Sequence, residues 1–246
     1  MIYKKILFKI KYIYLSIFKR NTEYLNSYYG VKLCPNFGDE TFKYCFRGDY
    51  GDFFSNYLNS IKFDFVFIDI GANQGLYSII SNQNFFCKKI YSVEPQKKII
   101  SILKKNFELN KVSNFEILPY AISSKRGKAN LINFNNHSGK STLEINQETS
   151  NKYQEEIKTI NGEFIKYLFE LNYDYIVKID VEGHEETVIS ELLKINGFNK
   201  ISTIFYEVNT KWTNRLLIEK LLKQHGFTNF IQVGENYNHC DILATR

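Results

Sequence analysis

From about residue 64 onward, short apolar runs alternate with stretches of helical periodicity. That alternation predicts parallel strands joined by crossover helices. Strands are expected at 64–70 (DFVFIDI), 89–94 (KIYSVE), 114–119 (NFEILP), 174–180 (DYIVKID) and 201–208 (ISTIFYEV). The first, fourth and fifth are nearly unbroken apolar runs, as strands covered on both faces require. Helices are expected at 75–83, 96–110, 161–171, 184–195 and 213–225, and a last pair of strands at about 227–233 and 239–245 around the turn-rich GENYN. The predicted class is α/β and Rossmann-like: a mostly parallel seven-stranded sheet with an antiparallel C-terminal hairpin and helices on both faces.

Two segments stand outside the alternation. Residues 21–62, rich in aromatics and turn residues, are expected to form a cap before the first strand, so that 1–62 precedes a main domain at 63–246. Residues 121–158 carry SSKRGKANLINF, a hairpin-like pattern, and the polar loop NNHSGKSTLE. Inserted between the third and fourth strands, they are placed to wall a substrate pocket.

The first twenty residues carry their own pattern. Ile2, Ile6, Ile10, Ile13 and Ile17 recur at helical spacing with lysines between them, which predicts a basic amphipathic helix. Lysines interrupt it too often for a signal peptide or a bilayer span. Two readings stay open: packing on the protein's own body or a second subunit in a homo-oligomer, or resting on an anionic membrane surface.

Charge changes the picture only there. The net charge is +6, but six of the 32 basic residues and none of the 26 acids fall in residues 1–20, so the remainder is balanced at 26 of each. A nucleic-acid partner is not expected. Cys34, Cys45, Cys87 and Cys240 show no CxxC pair and no zinc spacing, and read as free thiols of a reducing compartment. The expected location is cytoplasmic, with peripheral contact at the inner face of the membrane under the second reading of the helix.

The strand at 64–70 ends in Asp69 and then breaks into Gly71, Ala72, Asn73, Gln74 and Gly75. In open parallel sheets a ligand lies outside the carboxyl ends of the strands, and a glycine turn lets the backbone approach it. The spacing Gly-x-x-x-Gly is not the dinucleotide fingerprint. The second strand ends in Glu94, where an acid can accept hydrogen bonds from ribose hydroxyls. Together these point to a nucleoside ligand without a tight diphosphate site.

FIDIGANQG, YSVEP, ILPYAIS and above all VKIDVEGHE resemble the FkbM-type methyltransferases, a branch of the class I, S-adenosylmethionine-dependent O-methyltransferases. The likeness runs from about residue 64 to 208. It implies S-adenosylmethionine as cofactor and S-adenosylhomocysteine as product. It also implies that Asp69, Gly71, Ala72, Asn73, Gly75 and Glu94 bind the cofactor, with Ala121 and Ile122 by the adenine. Asp180 is expected either to hold the cofactor's amino group or to orient the base.

Methyl transfer to oxygen needs an aligned acceptor and removal of its proton. Asp180, Glu182 and His184 fall at the carboxyl edge where an acceptor would sit, and His184 is the expected general base. Asp180 could instead cap a helix beginning near residue 182. A divalent metal held by Asp180, Glu182 and Glu207 is the less favoured alternative. His137, Ser138, Lys140, Glu207 and Trp212 are the candidate substrate contacts. The family's association with glycan tailoring suggests a sugar hydroxyl, on a nucleotide-linked sugar or a surface-polysaccharide unit. A lipid or polyketide-like acceptor is the alternative.

Overall fold

The computed structural model describes residues 2–18, 22–143 and 152–246. Lys19, Arg20 and residues 144–151 of the expected insertion lie outside the described residues. Helix α1 (Ile2–Phe18), a ribbon of β1 (Leu25–Asn26) and β2 (Lys32–Leu33), α2 (Glu40–Arg47) and α3 (Phe53–Ser60) come first. The alternating part follows: β3 (Phe65–Ile70), α4 (Leu76–Gln83), β4 (Cys87–Val93), α5 (Lys97–Leu109) and β5 (Phe115–Leu118). After an insertion of β6 (Ala121–Ile122), β7 (Gly127–Phe134) and β8 (Lys152–Ile160) comes a single turn, α6 (Gly162–Ile165). The chain ends with β9 (Asp174–Ile179), α7 (Glu185–Leu193), β10 (Ile201–Asn209), α8 (Arg215–Gln224), β11 (Asn229–Val233) and β12 (His239–Thr245).

Seven strands form one sheet in the order β11-β12-β10-β9-β3-β4-β5. Only β12 runs antiparallel to its neighbours β10 and β11. Every residue of the central β3 is buried, because β4 and β9 pair with it on either side and helices cover both faces. The order doubles back between β3 and β9, where the crossovers part to opposite sides and leave a crevice at the carboxyl ends.

Two apolar clusters fill the two faces. One gathers Val66, Ile68 and Ile70 with α7 and the residues around α6. The other joins Phe65, Phe67, Ile79 and Leu103 to Phe42, Phe46 and Phe54 of the N-terminal helices. Phe54 stacks on Phe205 of β10 with ring centroids 4.0 Å apart. The N-terminal helices α1, α2 and α3 therefore share a core with the sheet.

Two local expectations change. The helix expected at 161–171 is instead the single turn α6, capped by Asn161, followed by a 3₁₀ turn over Lys166–Phe169. The tighter winding eclipses residues three apart, which brings Ile165 and Leu168 into the core together. Nor does Asp180 cap a helix from residue 182. α7 starts at Glu185 with His184 in the cap position, and the turn before it is held by Glu185 itself. The Glu185 carboxylate accepts hydrogen bonds from the backbone N–H groups of Val181 at 3.0 Å and Gly183 at 3.1 Å.

Candidate active site

A cavity of about 830 Å³ opens at the carboxyl edge of β3, β4, β9 and β10, walled on one side by α2 and on another by the insertion. Its lining divides into two chemically distinct halves.

The first half is built on the turn after β3. The backbone N–H groups of Gly71 and Ala72 both donate to Val93 O at 3.0 Å, which folds the turn against the end of β4. Gly71 has φ +77°, and a Cβ there would meet Asp180 O at 1.9 Å, so the ends of β3 and β9 touch only because this residue has no side chain. Asn73 also adopts positive φ, at 48°. Its N–H donates to Glu94 Oε2 at 3.0 Å, and the N–H of Gln96 donates to Glu94 Oε1 at 2.9 Å. Burial pushes Glu94 up to about 7, against the pull of those two backbone donors.

An ionised carboxylate offers roughly four acceptor positions. Two on Glu94 are taken, and the residue lines the cavity. The remaining two suit a vicinal diol, so the residues fit the ribose of S-adenosylmethionine. Ala121 and Ile122, on the short strand β6, line the same half.

Asp69 and Gly75 do not line the cavity and lie one layer behind this wall. Asp69 is 1% exposed and its Oδ2 accepts from Ser78 Oγ at 2.7 Å. Gly75 has φ +82° at the start of α4, and a Cβ there would strike Leu103 Cδ1 at 2.3 Å. Its smallness serves the packing of α4 on α5.

The second half is acidic. Asp180, Glu182 and Glu207 each present an oxygen within 4.8 Å of the others. Asp241, opposite Glu207 in the β10–β12 register, joins them and is pushed up to about 7 by burial and then by the charge of Asp180. Glu182 is raised by burial and by Glu207 and Asp180; Glu207 is raised by burial and by Asp180, although His239 Nε2 lies 2.7 Å from its Oε1. Glu185, held by the turn it organises, is pushed up to about 8 by burial and then by Glu207.

Between the halves sits Lys178. Its Nζ is 3.1 Å from Asp180 Oδ2 and 3.6 Å from Asp69 Oδ1, and it donates to Gly71 O at 3.0 Å. Burial alone would lower this ammonium, but the Asp180 and Asp69 carboxylates hold it above the usual lysine value.

The other expected residues also line the cavity. His184 is in the cap position of α7, and its Nε2 is 3.3 Å from Ser123 Oγ. Ser138 Oγ donates to Asn73 Oδ1 at 3.1 Å. His137 sits edge-on to Tyr44, ring centroids 5.6 Å apart, and is pushed down by burial and by Lys140. Lys140 is exposed and its charge opposes the rise of Glu182. Trp212 is half-buried just beyond β10. Sequence reasoning missed Lys178 and Asp241. Each left a trace, as a lone charge inside the apolar strands YIVKI and HCDILAT.

A family model, the methyltransferase FkbM domain, matches residues 69–228. The chain belongs to this family of S-adenosylmethionine-dependent methyltransferases. It is 32% identical over 116 residues to the methyltransferase sdnD of Sordaria araneosa, covering 47% of this chain and 43% of that protein. The chain thus spans less than half the length of that relative. Among solved structures it is similar to TrmK of M. capricolum, solved in complex with S-adenosylhomocysteine (21% identity, 78% of this chain and 66% of that one, TM-score 0.46). It is also similar to a methyltransferase of Streptococcus mutans crystallised with the same product (9% identity, 79% and 97%, TM-score 0.46).

Proposed function

We propose that this chain transfers a methyl group from S-adenosylmethionine to a hydroxyl of a sugar, either a nucleotide-linked sugar or a surface-polysaccharide unit. The observation that carries the reading is the convergence of Asp180, Glu182 and Glu207 beside the half that suits a ribose. Carboxylates crowded in a cleft are hydrogen-bond acceptors for a polyhydroxylated ligand, and they orient it.

S-adenosylmethionine, when bound, supplies an electrophilic methyl group. Glu94 would hold the ribose hydroxyls, with Gly71 and Asn73 giving backbone access and Ala121 and Ile122 the apolar wall. The chain's own task is to align the acceptor oxygen and take its proton. Burial, and then the charge of Asp180, raises Glu207 to about 7, which suits it to that task, whereas Glu182, raised further by burial and then by Glu207, holds its own proton. His184, the base expected from the sequence, lines the same cavity from the α7 cap and rests by Ser123. The spacing of the three carboxylate oxygens also suits a hard cation, which would lower the hydroxyl's own pKa.

The test is a screen of purified protein with labelled S-adenosylmethionine against nucleotide sugars and, in parallel, hydroxylated lipids and polyketide-like acceptors. Transfer to sugars is expected. Transfer confined to the apolar acceptors would overturn the substrate class and favour the alternative.

A further inference from the structure

Helix α1 has two apolar faces, and only one is used. Phe8 packs against Tyr28 and Phe46, Tyr12 against Phe37 and Phe42, and Leu15 is buried. At about 3.6 residues per turn, Ile6, Ile10, Ile13 and Ile17 form a single stripe on the opposite side. They are 49%, 61%, 61% and 61% exposed, and Tyr3 at one end is 88% exposed. A contiguous apolar stripe left in water on a docked helix marks an interaction surface.

Charge selects the partner. The helix carries Lys4, Lys5, Lys9 and Lys11, and residues 1–20 hold no acid. By the same winding, Lys5 and Lys9 border the stripe on one side, while on the other the exposed Leu7, Tyr14 and Phe18 widen the apolar face as far as Lys4 and Lys11. Lys4 and Lys11 already lie over the rings of Tyr28 and Phe8, at 4.3 and 5.0 Å. An apolar strip bordered on both sides by ammonium groups matches an acyl layer bordered by anionic headgroups.

We propose that this face seats α1 flat on an anionic lipid bilayer, with the isoleucines at the headgroup–acyl boundary and the lysines on lipid phosphates. No helix among the described residues is long and apolar enough to cross a membrane, so the helix lies on the surface. A second copy fits the face poorly. A two-fold contact through the stripe would bring together two acid-free helices with four lysines each. α1 rests on α2, whose Thr41, Tyr44 and Cys45 line the cavity, so the docked face lies one helix away from the site. The inference does not depend on which acceptor is methylated.

Co-sedimentation of the full chain with vesicles tests it, using phosphatidylcholine alone and phosphatidylcholine mixed with phosphatidylglycerol. Pelleting is expected only with the mixed vesicles and should collapse at high salt. Lys5→Gln and Lys9→Gln should each weaken partitioning about fivefold. The double variant Ile10→Asp with Ile13→Asp, both on the free face, should abolish pelleting while leaving circular dichroism and S-adenosylhomocysteine affinity unchanged. The proposal is overturned if the wild type ignores anionic vesicles or if the double variant pellets as well as wild type. It is equally overturned if sedimentation velocity shows a dimer that the double variant dissolves, without vesicle binding.

Discussion

Lys178, itself buried, pairs with the part-exposed Asp180, Nζ to Oδ2 3.1 Å, and ties the end of β9 to the glycine turn after β3 through Gly71 O. Removing one partner of a buried pair strands the other. Lys178→Met leaves the buried Asp69, 3.6 Å away, without its cation and should cost about 3 to 5 kcal/mol of stability. Denaturant unfolding measures it. Adding Asp69→Asn should recover part of the loss, and a double variant no better than the single would show that the ammonium and Asp69 are not coupled.

Glu94 gives a second prediction through its proton. Hydroxyl donors favour its ionised form, and burial places its titration at about 7, so cofactor binding should release a proton and tighten as pH rises through that value. Glu94→Gln should weaken S-adenosylhomocysteine binding by about tenfold at alkaline pH, on the order of 1.4 kcal/mol, and should flatten the pH dependence. Titration calorimetry at pH 6 and 8 reads both. Equal affinity in variant and wild type would take Glu94 out of the site.

Proton removal from the acceptor separates three arrangements in one assay. If the carboxylates take the proton, Glu207→Gln should lower turnover by roughly 10² to 10⁴, with His184→Ala milder and a chelator without effect. A large loss confined to His184→Ala would return the role of base to the histidine. Activity silenced by chelator and restored by magnesium would assign the same oxygens to a cation.

Several acids share one sign of shift. Burial raises Glu94 and Asp241 to about 7 and, with Glu207, Glu185 to about 8. A carboxyl that holds its proton more tightly folded than unfolded stabilises the fold below its unfolded value. That contribution is lost as pH rises through the folded value. The unliganded protein is therefore expected to lose stability from these groups as pH rises from about 4 towards about 8. Asp241→Asn should flatten part of the slope in a calorimetric scan. A wild-type melting temperature that climbs over that range would contradict the assignment.

Much of this was readable from pattern because local signals and burial agree. The apolar runs of β3, β9 and β10 need two covered faces, and the glycine turn and Glu94 fall where such a sheet opens. What escaped depends on contacts far apart in sequence. That Asp69 serves Ser78 and Lys178 follows from the approach of β9 to β3, and that Gly75 serves Leu103 from the packing of two helices. Asp241 enters the site only through antiparallel pairing at the far end of the chain. The expected cap at Asp180 failed because Glu185, a few residues on, binds the turn's N–H groups more directly.

The segment between β7 and the undescribed residues has a kinetic consequence. The N–H of Ser138 donates to Asp39 and that of Gly139 to Thr41, while Ser138 Oγ reaches Asn73 in one half of the cavity and Thr142 Oγ1 reaches Glu182 O in the other. One strap therefore spans both compartments, and it cannot slacken over one without disturbing the other. Traffic of the two ligands is expected to be sequential, with no methylated-enzyme half-reaction. Initial-rate lines at varied cofactor and acceptor should intersect instead of running parallel, and dead-end acceptor analogues should slow the escape of S-adenosylhomocysteine.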